Sequence, residues 1–429
     1  MKHRMKLCRL PIIIIVASLI ISACRPSQSA SENISFMVFG DPAELDAYQK
    51  LVESFKRANP EIQVELIQIP GQSDYRKRLA ADIAAGNPAD VVLINYRRFA
   101  TFAMAGALEP LGGFVFGDSS LIKEADFYPQ ALQAFKWRGE QMCIPQNISS
   151  LVFYYNKNLF DQAGVAYPSN GWTWDDFTTA AQALTKDTNR DGAIDQFGAG
   201  IAPDLIRLAP FVWQAGGEVV DNQSMPHSLV LASAAALHAA DFFFSLQTKY
   251  HVVPNLEQET SQDSESRFIN GQLAMFFNSR RGVPTYRESA AFDWDVAALP
   301  QDKQQATILH SDGFCLTSAS KNKNAARAFL HFAISPAGQT IVAGSGRTVP
   351  SLISVANSAA FLDPQAKPAN SQVFLDVIPY IRMLPIHPNW AEVEEIANNE
   401  IWLGFYGRVP HTDAMSRVVN MTKESLIGE

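Results

Sequence analysis

Along this chain, short apolar runs of strand length alternate with longer segments whose apolar residues repeat at helical spacing. Residues 34–39 (Ile-Ser-Phe-Met-Val-Phe) read as a strand, followed by the turn residues Gly40, Asp41 and Pro42. Over 44–58, Leu45, Tyr48, Leu51, Val52 and Phe55 fall at i, i+3, i+4 and i+7, which places them on one helical face. Asn59-Pro60 stops that helix, and 62–69 alternates as a second strand. A helix is expected from 74 to about 85, closed by Gly86-Asn87-Pro88. Residues 91–94 are continuously apolar, as in a strand covered on both faces. Further on, 151–155 and 274–277 read as strands, and 174–184, 233–244 and 324–332 as helices. Thr173 is placed to cap the helix 174–184, with Asp175 and Asp176 in its first turn. Strands alternating with helices predict an α/β fold with parallel, doubly wound sheets. There is no internal repeat and no low-complexity linker, so two lobes would be joined by short crossings.

At 429 residues, two lobes or domains are the natural expectation. A net charge of -8 without any long block of Lys or Arg argues against nucleic acid as a partner. The N-terminus changes the picture more. Lys2, Arg4, Lys6 and Arg9 precede an apolar run over 10–21, shorter than the ~20 residues of a spanning helix. Residues 1–23 thus read as a signal peptide. Ile21-Ser22-Ala23-Cys24 resembles the bacterial lipobox, in which the cysteine, here Cys24, takes a diacylglycerol; an ordinary signal peptide containing a cysteine is the alternative. Residues 24–33, Ser-rich over 26–31, would be the lipidated tether. Cys143 and Cys315 sit in apolar contexts without zinc-site spacing and read as two buried cysteines, with a disulfide left open.

The order of short motifs carries a resemblance. Leu51-Val52-Glu53-Ser54-Phe55 leads through Asn59-Pro60 to Val64-Glu65, and Ala84-Ala85-Gly86-Asn87-Pro88-Ala89-Asp90 precedes Gly106-Ala107-Leu108-Glu109-Pro110-Leu111. Tyr154-Tyr155-Asn156-Lys157, Trp172-Thr173-Trp174-Asp175-Asp176-Phe177 and Ala215-Gly216-Gly217 follow, then Phe268-Ile269-Asn270-Gly271 and Ala297-Ala298-Leu299-Pro300. In this order they resemble the family-1 extracellular solute-binding proteins of ATP-binding-cassette importers. The resemblance implies a two-lobed periplasmic-binding-protein fold of type II, with a ligand cleft between the lobes. By motif placement the first lobe would hold 34–146 plus 274–334, and the second 147–273 plus 335–429. It implies a monomeric lipoprotein on the extracytoplasmic side of the cell membrane. Such a protein captures a carbohydrate and hands it to the importer's membrane subunits, which read lobe closure.

Sugar sites combine planar hydrogen-bonding groups with aromatic faces. At the carboxyl ends of strands, Asp41 and Tyr96 are candidates, Asp41 being equally placed to cap the following helix. Asn147 and Ser149 lie where the family crosses between lobes. Asp204 and Arg207 precede Gly216-Gly217, where sugar binders of the family place a contact, surface ion pairing being the alternative. After Ala274-Met275 the family often has Gly-Trp; here Asn278-Ser279-Arg280-Arg281 stands instead, and two arginines suit an anionic group. Asp312, Arg347 and Trp390, the last as an aromatic platform, complete the ligand-binding set, while Trp172 and Trp174 at a helix start read as structural.

Asp187, Asn189, Asp191 and Asp195 follow calcium-loop spacing, but Gly198 stands where the bidentate glutamate belongs. An Asx-type turn is therefore the favoured reading, and no cofactor is expected. The chain has no Gly-x-Ser-x-Gly elbow, His-Glu-x-x-His helix or Walker loop. An extracytoplasmic glycoside hydrolase is thus the weaker alternative to binding; a sugar phosphate or polyol is the alternative cargo, and feeding a sensor kinase the alternative to transport.

Overall fold

The computed structural model describes residues 32–117 and 121–427. The signal peptide, Cys24 and most of the tether lie outside the described residues. Two sheets organise the chain. The first has the order Ile62–Ile69, Glu32–Phe39, Val91–Asn95, Asp312–Leu316, Cys143–Pro145. Its first three strands run parallel, and the last two join antiparallel, with Asp312 opposite Asn95 and Cys315 opposite Cys143. The second has the order Ile381–Arg382, Thr307–His310, Ser149–Asn156, Leu273–Ser279, Phe197–Gly200, with Trp294–Ala297 also pairing to Ser149–Asn156. The α/β class is as expected, but the sheets are mixed rather than wholly parallel.

The local signals explain the elements. Gly40 sits at φ +127°, and a Cβ there would run into the Glu44 carboxylate, so only glycine makes the tight exit from the first strand. Asp41 accepts from Glu44 N at 3.1 Å and Pro42 occupies the first turn, starting helix Pro42–Ala58. Thr173 and Asp176 form a capping box on helix Trp174–Leu184. Strand Ser149–Asn156 is buried throughout: Val152 and Tyr154 face one core, and Leu151, Phe153 and Tyr155 the other.

The expected lobe boundaries require correction. Strands Leu273–Ser279, Trp294–Ala297 and Thr307–His310 are all hydrogen-bonded into the second sheet, so the return to the first sheet falls at Ser311, not at 274. Helix Pro336–Ala343 packs on Pro42–Ala58 and Lys323–Ile334, so the chain also stays with the first lobe past 335. Val373–Asp376 then packs against Ser149–Asn156, and helices Trp390–Phe405 and His411–Met421 pack with Ala234–Thr248 in the second lobe. Cys143 and Cys315 face each other on adjacent strands and are bonded as a disulfide, resolving the open cysteine reading.

Candidate functional site

Three stretches run side by side where the chain passes between the sheets: 145–149, 310–312 and 346–350. Asp312 N donates to Asn147 Oδ1 at 2.8 Å, and Ser311 Oγ to the Asn147 carbonyl at 2.6 Å. Gln146 N donates to the Asp312 carbonyl and Ile148 N to the Val349 carbonyl, each at 2.8 Å. Val349 N reaches Ser149 Oγ at 3.4 Å. Asn95, at the carboxyl end of its strand, donates from Nδ2 to Asp312 Oδ1 at 2.9 Å. Asn95, Asn147 and Asp312 are thereby held together at the crossing.

Arg347 extends this cluster. Its guanidinium is paired with Asp41 and with Glu44 Oε2 at 3.0 Å, and it donates to the Arg281 carbonyl at 3.3 Å. Burial raises the Glu44 carboxyl from the usual 4.5 to about 7, against the pull of Arg347. Burial also raises Asp312, opposed by the Asn95 hydrogen bond and by Arg347. Arg347 itself is lifted: burial lowers it, but Glu44 and Asp41 outweigh that cost.

A second polar group lies beside the first. Arg97 and Arg98, just past Asn95, both pair with Glu394 of helix Trp390–Phe405 across the two lobes. His310 is pushed well below the usual imidazole value by burial and by Arg97, Arg207 and Arg281, so it is neutral there. A pocket on the first lobe adjoins these residues, lined by Gln72, Arg76, Asn95, Arg97 and Arg98 with Phe39 and Phe102. Sequence reasoning missed Arg97, Arg98, His310 and Glu394. The first two had a signal, since they directly follow the carboxyl end of an apolar strand.

Other expected residues are placed elsewhere or differently. Tyr96 is fully buried, its hydroxyl accepting from Leu384 N at 3.3 Å and its amide donating to the Ser311 carbonyl at 3.1 Å. Trp390 is fully buried in the second core, so its ring forms no platform. Asn278 donates to Tyr286 Oη at 2.7 Å and to Glu265 at 3.2 Å inside the protein. Arg280 is wholly buried and donates to the Gly346 carbonyl at 3.0 Å, whereas Arg281 is half exposed and pairs with Glu265 at 3.4 Å. Asp204 caps helix Leu205–Gln214 and pairs with Arg207 at 2.5 Å. Trp172 and Trp174 are buried at their helix start, as expected.

In the Asp-rich turn, Asp187 accepts from Arg190 N at 2.6 Å and Gly192 N at 2.8 Å, and Asp191 from Ala193 N at 2.8 Å. Asp195 takes Thr188 N at 2.8 Å, and Asn189 takes Asp191 N at 2.9 Å. These oxygens satisfy the loop's own amides. Among the described residues no group of three or more His, Cys, Asp or Glu is placed to hold a metal.

The profile of the bacterial extracellular solute-binding protein family matches residues 40–340, well over half of the chain. The chain belongs to this family. A relative from Brucella abortus described as a binding protein is 25% identical over 370 residues, covering 83% of this chain and 85% of its own. A mannitol-binding protein of Pseudomonas aeruginosa is 24% identical over 303 residues, 69% of this chain and 67% of that one. Among solved structures, an ABC substrate-binding protein of Listeria monocytogenes in complex with cycloalternan superposes with a TM-score of 0.83 at 26% identity, covering 92% of this chain and 99% of that one. This solute-binding protein has the two-lobed, type II periplasmic-binding fold, and the cluster at Asn95, Asn147, Asp312 and Arg347 lies where its two lobes are joined.

Proposed function

We propose that this protein captures a carbohydrate between its lobes and delivers it to an ATP-binding-cassette importer, held on the extracytoplasmic face of the membrane by lipid on Cys24. The observation that carries the reading is the convergence of amides, carboxylates and guanidinium at the crossing: Asn95 and Asn147 with Asp41, Asp312 and Arg347. Such groups are both donors and acceptors, the mixture that hydroxyls require. A ligand gripped at the crossing stabilises whichever lobe arrangement it contacts on both sides. A relative named for mannitol binding and a similar solved structure in complex with cycloalternan support a polyhydroxylated cargo. The family consists of binding proteins, and binding with release unchanged, rather than turnover, is the proposed role. Among the described residues no helix is long and apolar enough to cross a membrane.

The test is a thermal-shift screen of the mature chain against mono- and oligosaccharides, polyols and sugar acids. A ligand specific to the folded state at ~100-fold excess over its Kd adds roughly 2.7 kcal/mol of stability. A clear upward shift with a sugar or polyol, and its recovery unchanged after incubation, supports the proposal. A folded protein that responds to none of them overturns the carbohydrate assignment. Cys24→Ala should move the protein from the membrane to the soluble fraction.

A further inference from the structure

We infer that the sugar bound here carries an acidic group, a carboxylate or a phosphate, received by Arg97 and Arg98 with Arg76 and His310 beside them. The inference rests on the carbohydrate reading and specifies its cargo. It starts from a charge count. Arg97 and Arg98 share one carboxylate, Glu394. Their side chains are 12% and 14% exposed, and that of Glu394 is 3% exposed. Asp312 also acts on Arg97, and Arg76 on Arg98, so three guanidiniums face the two carboxylates Glu394 and Asp312, and a positive charge is left over in a nearly buried place. Buried charges are ordinarily paired, because removing an ion from water costs several kcal/mol. Burial lowers the pKa of Arg98 despite Glu394, and Arg97 adds to the strain on it.

The hydrogen-bond inventory points the same way. Arg97 Nε, Arg98 Nη1 and His310 Nε2 are buried atoms without a hydrogen-bond partner among the described residues; Glu394 Oε2 is likewise without a hydrogen bond but is already ion-paired with Arg98. A guanidinium offers five N–H donors in a fork that matches a carboxylate or phosphate edge. The neighbouring pocket adds Arg76 and the amides of Gln72 and Asn95, with Phe39 and Phe102 as apolar wall, and no carboxylate among the described residues lines it. The cleft is thus divided. Asp41 and Glu44 gather around Arg347 at one part, Arg76, Arg97 and Arg98 stand at the other, and Asp312 acts on both Arg347 and Arg97 between them. Hydroxyls suit the first part and an acid group the second. Of the arginines marked by sequence, Arg280 is spent on protein carbonyls, Arg347 on Asp41 and Glu44, Arg207 on Asp204 and Arg281 on Glu265.

The experiment is isothermal titration calorimetry of the mature chain with matched sets: glucose, glucuronate and glucose 6-phosphate; galactose, galacturonate and galactose 6-phosphate. Each set is run at low and at physiological salt, on the parent and on Arg97→Gln/Arg98→Gln. The inference expects an acidic member to bind at least ~10-fold more tightly than its neutral partner, with the preference reduced by salt and lost in the variant. Preference for the uronate or for the phosphate then identifies the group. Neutral members binding as well as or better than acidic ones would sink the inference and leave the carbohydrate reading standing. Failure of every member to bind a parent that answers a neutral sugar or polyol in the thermal-shift screen would sink the inference alone, and failure in both experiments would overturn both. The acid-against-neutral comparison on the parent is decisive even where the double variant does not fold.

Discussion

Arg280 and Arg281 are neighbours in the chain with opposite surroundings. Arg280 lies between the rings of Phe361 and Phe374, 4.2 and 5.0 Å from their centroids, and donates to the carbonyls of Gly346 and Phe361. Burial lowers its pKa to about 10, so it remains a cation at neutral pH. By holding Gly346 it orients the next residue, Arg347, toward Asp41 and Glu44; it is a positioning residue rather than a ligand contact. Glu44 gives a residue-scale prediction. Its carboxyl titrates at about 7 when folded against the usual 4.5, so the folded state binds the extra proton. The sign follows: this contribution to stability is full below pH 4.5 and is lost as pH rises through 7. The change is on the order of 3 kcal/mol before coupling to Arg347 is considered. Glu44→Gln should flatten the fall in stability between pH 5 and pH 8, as read by urea unfolding; an unchanged profile would show that another group sets it.

Among the elements, the Cys143–Cys315 pair is the strongest local fastener, since it ties Cys143–Pro145 to Asp312–Leu316, the strands on either side of the crossings. Replacing both by alanine should cost about 2–4 kcal/mol and lower the melting temperature, and reductant should lower the parent toward the variant. Equal melting of the two under oxidising conditions would count against a stabilising bond. Element identity itself was largely legible in the residues. The helices beginning at Pro42 and Trp174 follow from caps and period-3.6 faces, and Ser149–Asn156 from its apolar run. The Asp-rich turn was legible only as two alternatives, because the same side-chain spacing that presents oxygens to calcium also presents them to backbone amides.

The lobes of the whole molecule share one buried apolar cluster, and side-chain hydrogen bonds near the site add to it. Tyr96 Oη accepts from Leu384 N at 3.3 Å, and Thr101 Oγ1 donates to the Pro388 carbonyl at 2.6 Å. Each such hydrogen bond contributes about 1 kcal/mol net. Tyr96→Phe with Thr101→Val should therefore shift the lobe equilibrium roughly 30-fold toward a more extended arrangement, by about 2 kcal/mol in all. Small-angle scattering of the ligand-free double variant should show a larger radius of gyration than the parent. No change would mean that these two hydrogen bonds do not set the lobe equilibrium.

What the chain determined by itself was local: the strand and helix periods, the caps, the breakers, and the order of motifs that resembles a solute-binding family. These depend on neighbours within about ten residues, and so they can be read in one dimension. Tertiary structure alone decided that 273–310 belongs to the second sheet, because a strand's partner is chosen by distant pairing that the strand's own residues do not encode. It also decided the fates of like residues. Trp390 became core, Arg280 a buried fastener, and Arg97 and Arg98 the partners of Glu394 across the lobes. A charge or ring acquires a role only from what surrounds it, and those surroundings come from residues as far apart as Arg97 and Glu394.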